Sequence, residues 1–454
     1  MSDILWTYKD AALVTKGEAV GEWSISGLSI DTRSLEHGDL FVPLKDARDG
    51  HDFIDAAYAA GAGAVISEKP ITGKPALIVK DSLKALEDLA IAARVRSKAL
   101  RIAVTGSVGK TSVKEALATV FAEFGDTHKS QKSFNNHWGV PLTLATMPQT
   151  TAYGVFETGM NHAGELSELS KLVAPNIALI TTIAGAHLSN FESVDAIAEA
   201  KSEIMDGMPA GGTVILNGDN AYTPRLREKA EKRGLNVLTF GTGDCDISIV
   251  TAKAHLGGSN TRLRINYQQY DVTLSVPGEH WFSNGAACMA VALAAGLDLR
   301  KTAMAMRKIK PLAGRGEMTA AKLDAKDFTL IDESYNANPT SMAAAISILS
   351  QAEGRKIAIL GDMAELGKTE LDLHAALSEP LTAAGVDRVI VTGECMRALR
   401  GALPQNMRAA WCKDIETCFE ALIAELQAGD TVLVKGSNSA GLGRLVKKIK
   451  AEQS

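Results

Sequence analysis

The stretch AVTGSVGKTS, residues 103–112, determines how the middle of this 454-residue sequence folds. The strand candidate RIAVTG runs into the loop of this stretch, and the helical segment SVKEALATVFAEFG overlaps its end. A phosphate-binding loop of the form G-x-x-x-x-G-K-[ST] would have its first glycine at position 104, which is Val104. The rest of the pattern is present as Gly106, Gly109, Lys110 and Thr111. Backbone N–H groups of such a loop converge on a phosphate at a helix N-terminus. The stretch therefore predicts a strand, a phosphate loop and a helix, with an ordinary glycine turn as the alternative.

The rest of the chain divides into three regions by pattern. Strand-like runs YGVFETG, IALITTI and GTVILN alternate with helical segments in the middle region, which predicts a largely parallel sheet, and residues 246–276 look like antiparallel strands added at its edge. In the last region, strand candidates begin at positions 328, 356, 387 and 430, with room for crossover helices as in a Rossmann-like domain. The first region has short strands, turns and a helix. We therefore predict an α/β protein of three domains, which span residues 1–83, 84–313 and 314–454.

Composition excludes several classes of protein. The net charge is −5 and no basic block occurs, which argues against a nucleic-acid partner. The sequence has no run of about 18 apolar residues, so it predicts no membrane span. The N-terminal segment has no basic region ahead of an apolar core, and the five cysteines form no C-x-x-C pair. We expect a cytoplasmic protein with unpaired thiols.

Two polar residues follow apolar strands in the middle region. Glu157 comes just after the run YGVF, and His187 follows IALITTIAGA. The carboxyl ends of parallel strands are where such sheets present ligand-binding side chains. Glu157 could equally be a solvated loop residue, and His187 could be a structural hydrogen-bonding group.

Lys201 lies among apolar positions of a predicted helix. It falls four residues after Ile197 and three before Ile204. Burial disfavours the charged form of a lysine, and a neutral amine can react with CO2 to form an anionic, metal-binding carbamate. The alternative is a lysine whose stem is buried and whose ammonium reaches solvent.

Eight motifs resemble those of the Mur ligases, in the same order and over nearly the whole chain: TGSVGKTS, SFNNHWGVPLT, ETGMNHAGEL, AHL, AKSEI, DESYNANPTSM, GDMAELG and LVKGS. That family shortens its phosphate loop to T-G-x-x-G-K-T, which accounts for Val104. The resemblance implies a small N-terminal domain for the UDP-sugar end of a substrate and a central P-loop domain for ATP. It also implies a C-terminal Rossmann-like domain for ATP and an incoming dipeptide.

SYNANP, GDMAELG and LVKGS are most similar to the family member that adds D-alanyl-D-alanine. The resemblance implies an ATP-dependent ligase that joins this dipeptide to UDP-N-acetylmuramoyl-tripeptide through an acyl phosphate, in the synthesis of peptidoglycan precursors. It implies ATP and two Mg²⁺ ions, small-molecule substrates and a monomer. The alternatives are the family member that adds the third amino acid, a P-loop kinase or ATPase, and a nucleotide-dependent binding module.

The resemblance also implies roles for individual residues. The implied catalytic residues are Lys110, Glu157, His187, Lys201 and Arg315. The implied nucleotide contacts are Thr105, Gly106, Ser107, Val108, Gly109, Lys110, Thr111, His280, Asn284, Asp332 and Asn336. The implied peptide and UDP-sugar contacts are Thr32, Arg33, Asn135, Asn136, Tyr335, Asn338, Lys435 and Ser437. The implied metal ligands are Thr111, Glu157, His187 and carbamylated Lys201. For the asparagines of NANP a simple turn is the alternative.

Overall fold

The computed structural model describes residues 4–185 and 189–452. Their strands form three principal sheets, each covered by helices, and all three sheets are mostly parallel. The predicted α/β fold class is confirmed. Within the described residues, no helix is long and apolar enough to cross a membrane.

The N-terminal unit is built on a five-stranded sheet. Its strands, in spatial order, are Glu18–Val20, Ala76–Ile78, Ala64–Ser67, Leu40–Phe41 and Leu28–Ser29. Only the first pair is antiparallel. A separate antiparallel pair joins Trp6–Thr7 to Ser24–Ile25. The helices of this unit are Tyr8–Thr15, Ile54–Ala59 and Ser82–Arg96.

The central unit has a nine-stranded sheet. Its strands, in spatial order, are Gln268–Leu274, Gly258–Ile265, Ile247–His255, Asn236–Gly241, Thr213–Asn217, Ile177–Ile180, Leu100–Thr105, Tyr153–Glu157 and Thr127–Lys129. The first three form the predicted antiparallel edge, and the others are parallel. The helices are Lys110–Phe121, Gly139–Ala145, Glu165–Val173, Val194–Ser202, Thr223–Lys232, His280–Ala294 and Leu299–Ala305. Because three neighbouring parallel strands end at residues 105, 157 and 180, the segments that follow them meet at one edge of the sheet.

The C-terminal unit has a six-stranded sheet. Its strands, in spatial order, are Glu317–Leu323, Lys326–Glu333, Thr431–Lys435, Lys356–Gly361, Arg388–Thr392 and Arg408–Cys412. The four predicted strands are confirmed, and all but the first pair run parallel. The two edge strands, EMTAAKL and RAAWC, were not predicted; most of their residues are only partly buried or exposed, unlike those of the core strands. The helices are Pro339–Ser350, Glu370–Ala375, Ser378–Ala383, Met396–Ala402, Ile415–Glu425 and Leu442–Ala451.

One hydrophobic core joins the first two units. The helix Ser82–Arg96 buries Leu89 in the same cluster as Ile66 of the first sheet and Leu144 of the central unit. The indole Nε1 of Trp6 donates to the carbonyl of Ala145 at 2.9 Å. The N-terminal unit is therefore packed firmly on the central one, and the predicted domain boundaries near 83 and 313 stay predictions.

Candidate active site

The glycine turn after the strand Leu100–Thr105 is fixed by the segment after the neighbouring strand. Gly106 has φ +147°, and a Cβ there would overlap the hydroxyl of Thr181. That hydroxyl donates to the carbonyl of Val108 at 2.6 Å, and the Ser107 hydroxyl donates to the carbonyl of Ala184 at 2.8 Å. Gly109, with φ +88°, begins the helix Lys110–Phe121. The turn requires glycine and is held by hydrogen bonds to the neighbouring segment, as in a phosphate loop and unlike an ordinary surface turn.

Lys110 points back over this turn. Its ammonium donates to the carbonyl of Gly106 at 2.6 Å. Burial lowers the pKa of Lys110, the Glu157 carboxylate opposes that shift, and the Arg315 guanidinium adds to it. A cation with one hydrogen bond to the loop is placed to meet the oxygens of a phosphate group.

Glu157 is buried at the end of the next strand. Its Oε1 accepts a hydrogen bond from Asn135 Nδ2 at 2.8 Å, whereas its buried Oε2 has no hydrogen-bond partner. The hydroxyls of Thr111 and Ser133 lie 3.3 Å apart at the same cavity. Since Mg²⁺ prefers carboxylate and hydroxyl oxygens, the unpartnered Oε2 fits such an ion. Within residues 4–185 and 189–452, no three His, Cys, Asp or Glu side chains gather into a metal cluster.

Lys201 is buried, with only 1% of the residue exposed, so the alternative of an ammonium that reaches solvent is wrong. Burial lowers the pKa of Lys201 well below its usual value, and the Lys110 ammonium lowers it further. A neutral amine is the form that reacts with CO2. The predicted His187 lies outside the described residues.

A cavity of about 470 Å³ separates the central and C-terminal units. It collects most of the predicted side chains. Those that line it are Ser107, Val108, Gly109, Lys110, Thr111, Asn135, Glu157, His280, Arg315, Tyr335, Asn336, Asn338 and Lys435. Thr105, Gly106, Lys201, Asn284, Asp332 and Ser437 do not line it. Of these, Asn284 lies directly beside the glycine turn, where a Cβ on Gly109 would be 3.2 Å from its Oδ1.

Tyr335 links the two walls of the cavity. Its hydroxyl donates to Ser133 Oγ of the central unit at 2.8 Å. The guanidinium of Arg315 stacks 3.9 Å from the centre of the Tyr335 ring. The two predicted residues therefore act as one group that reaches across the cavity.

Lys435 and Glu333 form a buried ion pair at the C-terminal wall. The Lys435 ammonium lies 3.5 Å from Glu333 Oε2 and donates to the carbonyl of Asn336 at 2.7 Å. Burial lowers the pKa of Lys435 and raises that of Glu333. Burial and the Lys435 charge lower the pKa of His280 to about 4, so its imidazole is neutral at pH 7.

Sequence reasoning missed Glu333 and assigned its neighbour Asp332. Glu333 lines the cavity, but Asp332 does not. The carboxylate of Asp332 accepts hydrogen bonds from Gly314 N at 3.0 Å and from Ser334 Oγ at 2.6 Å. Asp332 therefore fixes the linker that carries Arg315. The consecutive acidic residues of IDES were the available signal.

Three other predicted side chains are engaged locally. Asn338 Oδ1 accepts from Ser341 N at 2.9 Å and caps the helix Pro339–Ser350, as the turn alternative for NANP expects. Asn136 Oδ1 accepts from Gly139 N at 2.9 Å. Ser437 Oγ shares a hydrogen bond of 3.0 Å with Ser439 Oγ. These contacts hold backbone turns in place.

A second cavity, of about 660 Å³, adjoins the first at Asn135 and at residues 159–161. Asn136, Arg94 and Lys171 line it. The predicted Thr32 and Arg33 line neither cavity. Arg33 instead pairs with Asp31 at 2.6 Å and holds the pKa of that carboxyl at about 2.

Lys114 was also missed, because charged side chains are expected at the surface. It is fully buried one helical turn after Lys110. Its ammonium donates to the carbonyls of Ser130 and Lys132, each at 2.8 Å. These bonds fix the segment that leads to Ser133 and Asn135 in the cavity.

Comparison with known proteins agrees with this arrangement. Three family models match: "Mur ligase family, catalytic domain" at residues 24–116, "Mur ligase middle domain" at 104–292, and "Mur ligase, glutamate ligase domain" at 314–438. The UDP-N-acetylmuramoyl-tripeptide–D-alanyl-D-alanine ligase of Escherichia coli is 35% identical over 96% of each chain. This chain belongs to the Mur ligase family. The Bacillus subtilis Mur ligase of the same name is 32% identical over 98% of each chain.

Solved Mur ligase structures show the same fold. The crystal structure of MurF from Acinetobacter baumannii has 29% identity and a TM-score of 0.86, covering 98% of this chain and 99% of that one. MurF from Thermotoga maritima, solved in complex with ADP, has 26% identity and a TM-score of 0.78, with coverages of 94% and 97%. A UDP-N-acetylmuramoyl-L-alanyl-D-glutamate–2,6-diaminopimelate ligase is only 19% identical, with a TM-score of 0.52 over 96% and 93% of the chains, and shares the fold alone.

Proposed function

We propose that this chain joins D-alanyl-D-alanine to UDP-N-acetylmuramoyl-tripeptide and converts ATP to ADP and phosphate. One observation carries the proposal. A single cavity holds the phosphate loop with Lys110, the unpartnered carboxylate oxygen of Glu157, and the C-terminal wall with Lys435. Near-full-length relatives at 32–35% identity are named for this ligation, which supports it.

The first step is phosphorylation of the tripeptide's terminal carboxylate. An oxygen of a free carboxylate is a poor leaving group, so it must first be phosphorylated. The carboxylate attacks the γ-phosphorus of ATP, the bond between that phosphorus and the β,γ-bridging oxygen breaks, and ADP leaves. Two anions must approach each other, and Lys110 offsets their repulsion from its position over the glycine turn. Thr111 and Glu157 would hold one Mg²⁺, and His187 with carbamylated Lys201 a second. Bound Mg²⁺ would neutralise charge on the phosphate oxygens.

The second step is attack of the dipeptide's free amine on the acyl carbon. The new C–N bond forms, the C–O bond to phosphate breaks, and the amine proton is released. Lys435 and Asn336 lie on the wall where the dipeptide would bind. The Tyr335–Ser133 contact keeps the two walls together, so water has less access to the acyl phosphate.

Lys201 is proposed to act as a carbamate. Its burial and lowered pKa favour reaction with CO2. Enzyme equilibrated with ¹³C-bicarbonate should give a carbamate signal by ¹³C NMR that is absent from Lys201→Ala. Lys201→Ala should be inactive, and undiminished turnover by that variant would refute the role.

The second cavity is proposed to bind part of the UDP-N-acetylmuramoyl-tripeptide. It adjoins the reaction cavity at Asn135, and Arg94 and Lys171 supply positive charge for an anionic substrate. Thr32 and Arg33 are proposed to contact the UDP end. Arg33→Ala should raise the KM for this substrate and leave the KM for ATP unchanged. An equal rise in both would argue against the assignment.

We further propose that the protein acts in the cytoplasm and that it is a monomer. All five cysteines are unpaired, as expected in a reducing compartment. Fractionation of cells and light scattering of the purified protein test these two points.

Measurement of ADP and phosphate release tests the function. With ATP and UDP-N-acetylmuramoyl-tripeptide present, release should depend on added D-alanyl-D-alanine. A kinase or ATPase would release ADP without the dipeptide, and a binding module would retain ATP. A third-residue ligase would instead require UDP-N-acetylmuramoyl-dipeptide and a free amino acid.

A further inference from the structure

We infer that His374 is a positioning residue: it closes the loop 363–370 and thereby holds the part of the cavity wall that faces the incoming dipeptide. His374 lies on the short helix Glu370–Ala375 and does not line the cavity. The dipeptide assignment rests on the proposed function, whereas the loop-closing role stands on the geometry below.

Both ring nitrogens of His374 are engaged in a fully buried site. Met363 N lies 2.9 Å from Nε2, and since a backbone N–H can only donate, Nε2 is an acceptor. Nδ1 lies 2.6 Å from the carbonyl of Glu370, which can only accept, so Nδ1 carries the proton. The two hydrogen bonds therefore hold the imidazole as one tautomer.

The two partners of His374 are the first and last residues of the loop. Between them, Ala364, Glu365 and Leu366 line the cavity. Glu365 has φ +63°, a left-handed conformation that residues other than glycine rarely adopt and that its surroundings must maintain. The imidazole closes the base of the loop and so supplies part of that constraint.

The loop is bonded to the central unit, and the residue that precedes it is bonded to the segment that follows Lys435. The carbonyl of Glu365 accepts a hydrogen bond from Ser189 N of the central unit at 3.2 Å. On the other side, the carbonyl of Asp362 accepts from Ser437 N at 2.9 Å. Because Ser437 and Lys435 belong to the proposed dipeptide end, a displaced loop should disturb the dipeptide more than the nucleotide at the glycine turn.

Two substitutions separate the two hydrogen bonds. In His374→Gln, the side-chain oxygen can replace Nε2 as the acceptor for Met363 N. In His374→Asn, the amide can replace Nδ1 as the donor to Glu370, but Met363 N loses its acceptor. We expect His374→Asn to raise the KM for D-alanyl-D-alanine about tenfold, with a smaller change in the KM for ATP, because a buried N–H is left unpaired. His374→Gln should stay within about threefold of wild type.

Equal losses in the two variants, or a loss in kcat without a change in either KM, would overturn the inference. Amide exchange at Met363 is a second readout that needs no ligase activity. It should be slow in wild type and in His374→Gln, and fast in His374→Asn. If wild type failed to join the peptides, the proposed function would fall, and exchange at Met363 would still decide the role of His374.

A spectroscopic measurement on the wild-type protein covers the case in which neither variant folds. The ¹⁵N spectrum of the His374 ring should show a protonated Nδ1 and an unprotonated Nε2. The opposite tautomer would contradict the inference.

Discussion

The two walls of the cavity differ in how their polar side chains are satisfied. On the central wall, Glu157 Oε2 and His280 Nδ1 are buried without hydrogen-bond partners. On the C-terminal wall, Asn338 Oδ1 accepts a hydrogen bond from Ser341 N, and the Lys435 ammonium donates to the carbonyl of Asn336. An unpaired buried polar atom costs about 1–3 kcal/mol, so folded proteins keep few of them. The difference indicates that the central wall is built to receive a ligand, whereas many polar residues of the other wall build the wall itself.

Removal of Lys110 should have the largest effect. We expect Lys110→Met to lower kcat/KM for ATP about 10³-fold, because the phosphate loses the ammonium that lies over the glycine turn. The melting temperature should change little, since this side chain makes one hydrogen bond. Lys98→Met, at an exposed lysine outside the cavity, is the matched control. A large fall in melting temperature with Lys110→Met would indicate a structural role instead.

Glu157→Gln tests the unpartnered oxygen directly. The amide oxygen can still accept from Asn135, but an NH2 group replaces the free carboxylate oxygen. We expect kcat to fall about 10²-fold and the Mg²⁺ concentration for half-maximal rate to rise. Removal of Mg²⁺ by a chelator should abolish activity of the wild type. An unchanged Mg²⁺ requirement in Glu157→Gln would remove the main evidence for a ligand-receiving central wall.

His280 on the central wall should make the stability of the protein depend on pH. Its pKa of about 4 lies below the 6.5 of an exposed histidine, so the folded state binds fewer protons than the unfolded state between these values. The contribution of His280 to the free energy of unfolding is fully present above pH 6.5 and is lost as the pH falls towards 4. At pH 5.5 the loss is about 1 kcal/mol. The melting temperature of His280→Phe should therefore fall less than that of wild type between pH 8 and pH 5.5. Parallel pH profiles would show that His280 is not held neutral by burial.

Asn338 should show the smallest effect on catalysis. Its Oδ1 caps the helix Pro339–Ser350, and Asn338→Ala should cost about 1 kcal/mol of stability. Asn338→Ser can restore the cap and should recover the melting temperature. Activity of both variants should stay within about tenfold of wild type. If both lost activity while Asn338→Ser stayed stable, the Asn338 amide would be a substrate contact, and the contrast between the walls would be weaker.

The sequence predicted the features that depend on neighbouring residues in the chain. The strand, glycine turn and helix around Lys110 and the buried strands of the last region follow from local pattern. For Lys201, local pattern left open an ammonium that reaches solvent, and the structure shows the residue buried. Contacts between distant segments could not be predicted in this way. Lys114 reaches carbonyls that belong to the loop before Ser133, and Tyr335 reaches Ser133 from another unit. The motif around Asp332 was predicted, but only the structure shows that Glu333, and not Asp332, lines the cavity.

The central claim is that ATP turns the tripeptide's carboxylate oxygen into a leaving group. Tripeptide substrate labelled with ¹⁸O in its terminal carboxylate tests it most directly. After ligation in unlabelled water, the account predicts one ¹⁸O atom in the released phosphate for each peptide bond formed. Ligation that yields phosphate free of ¹⁸O would contradict it.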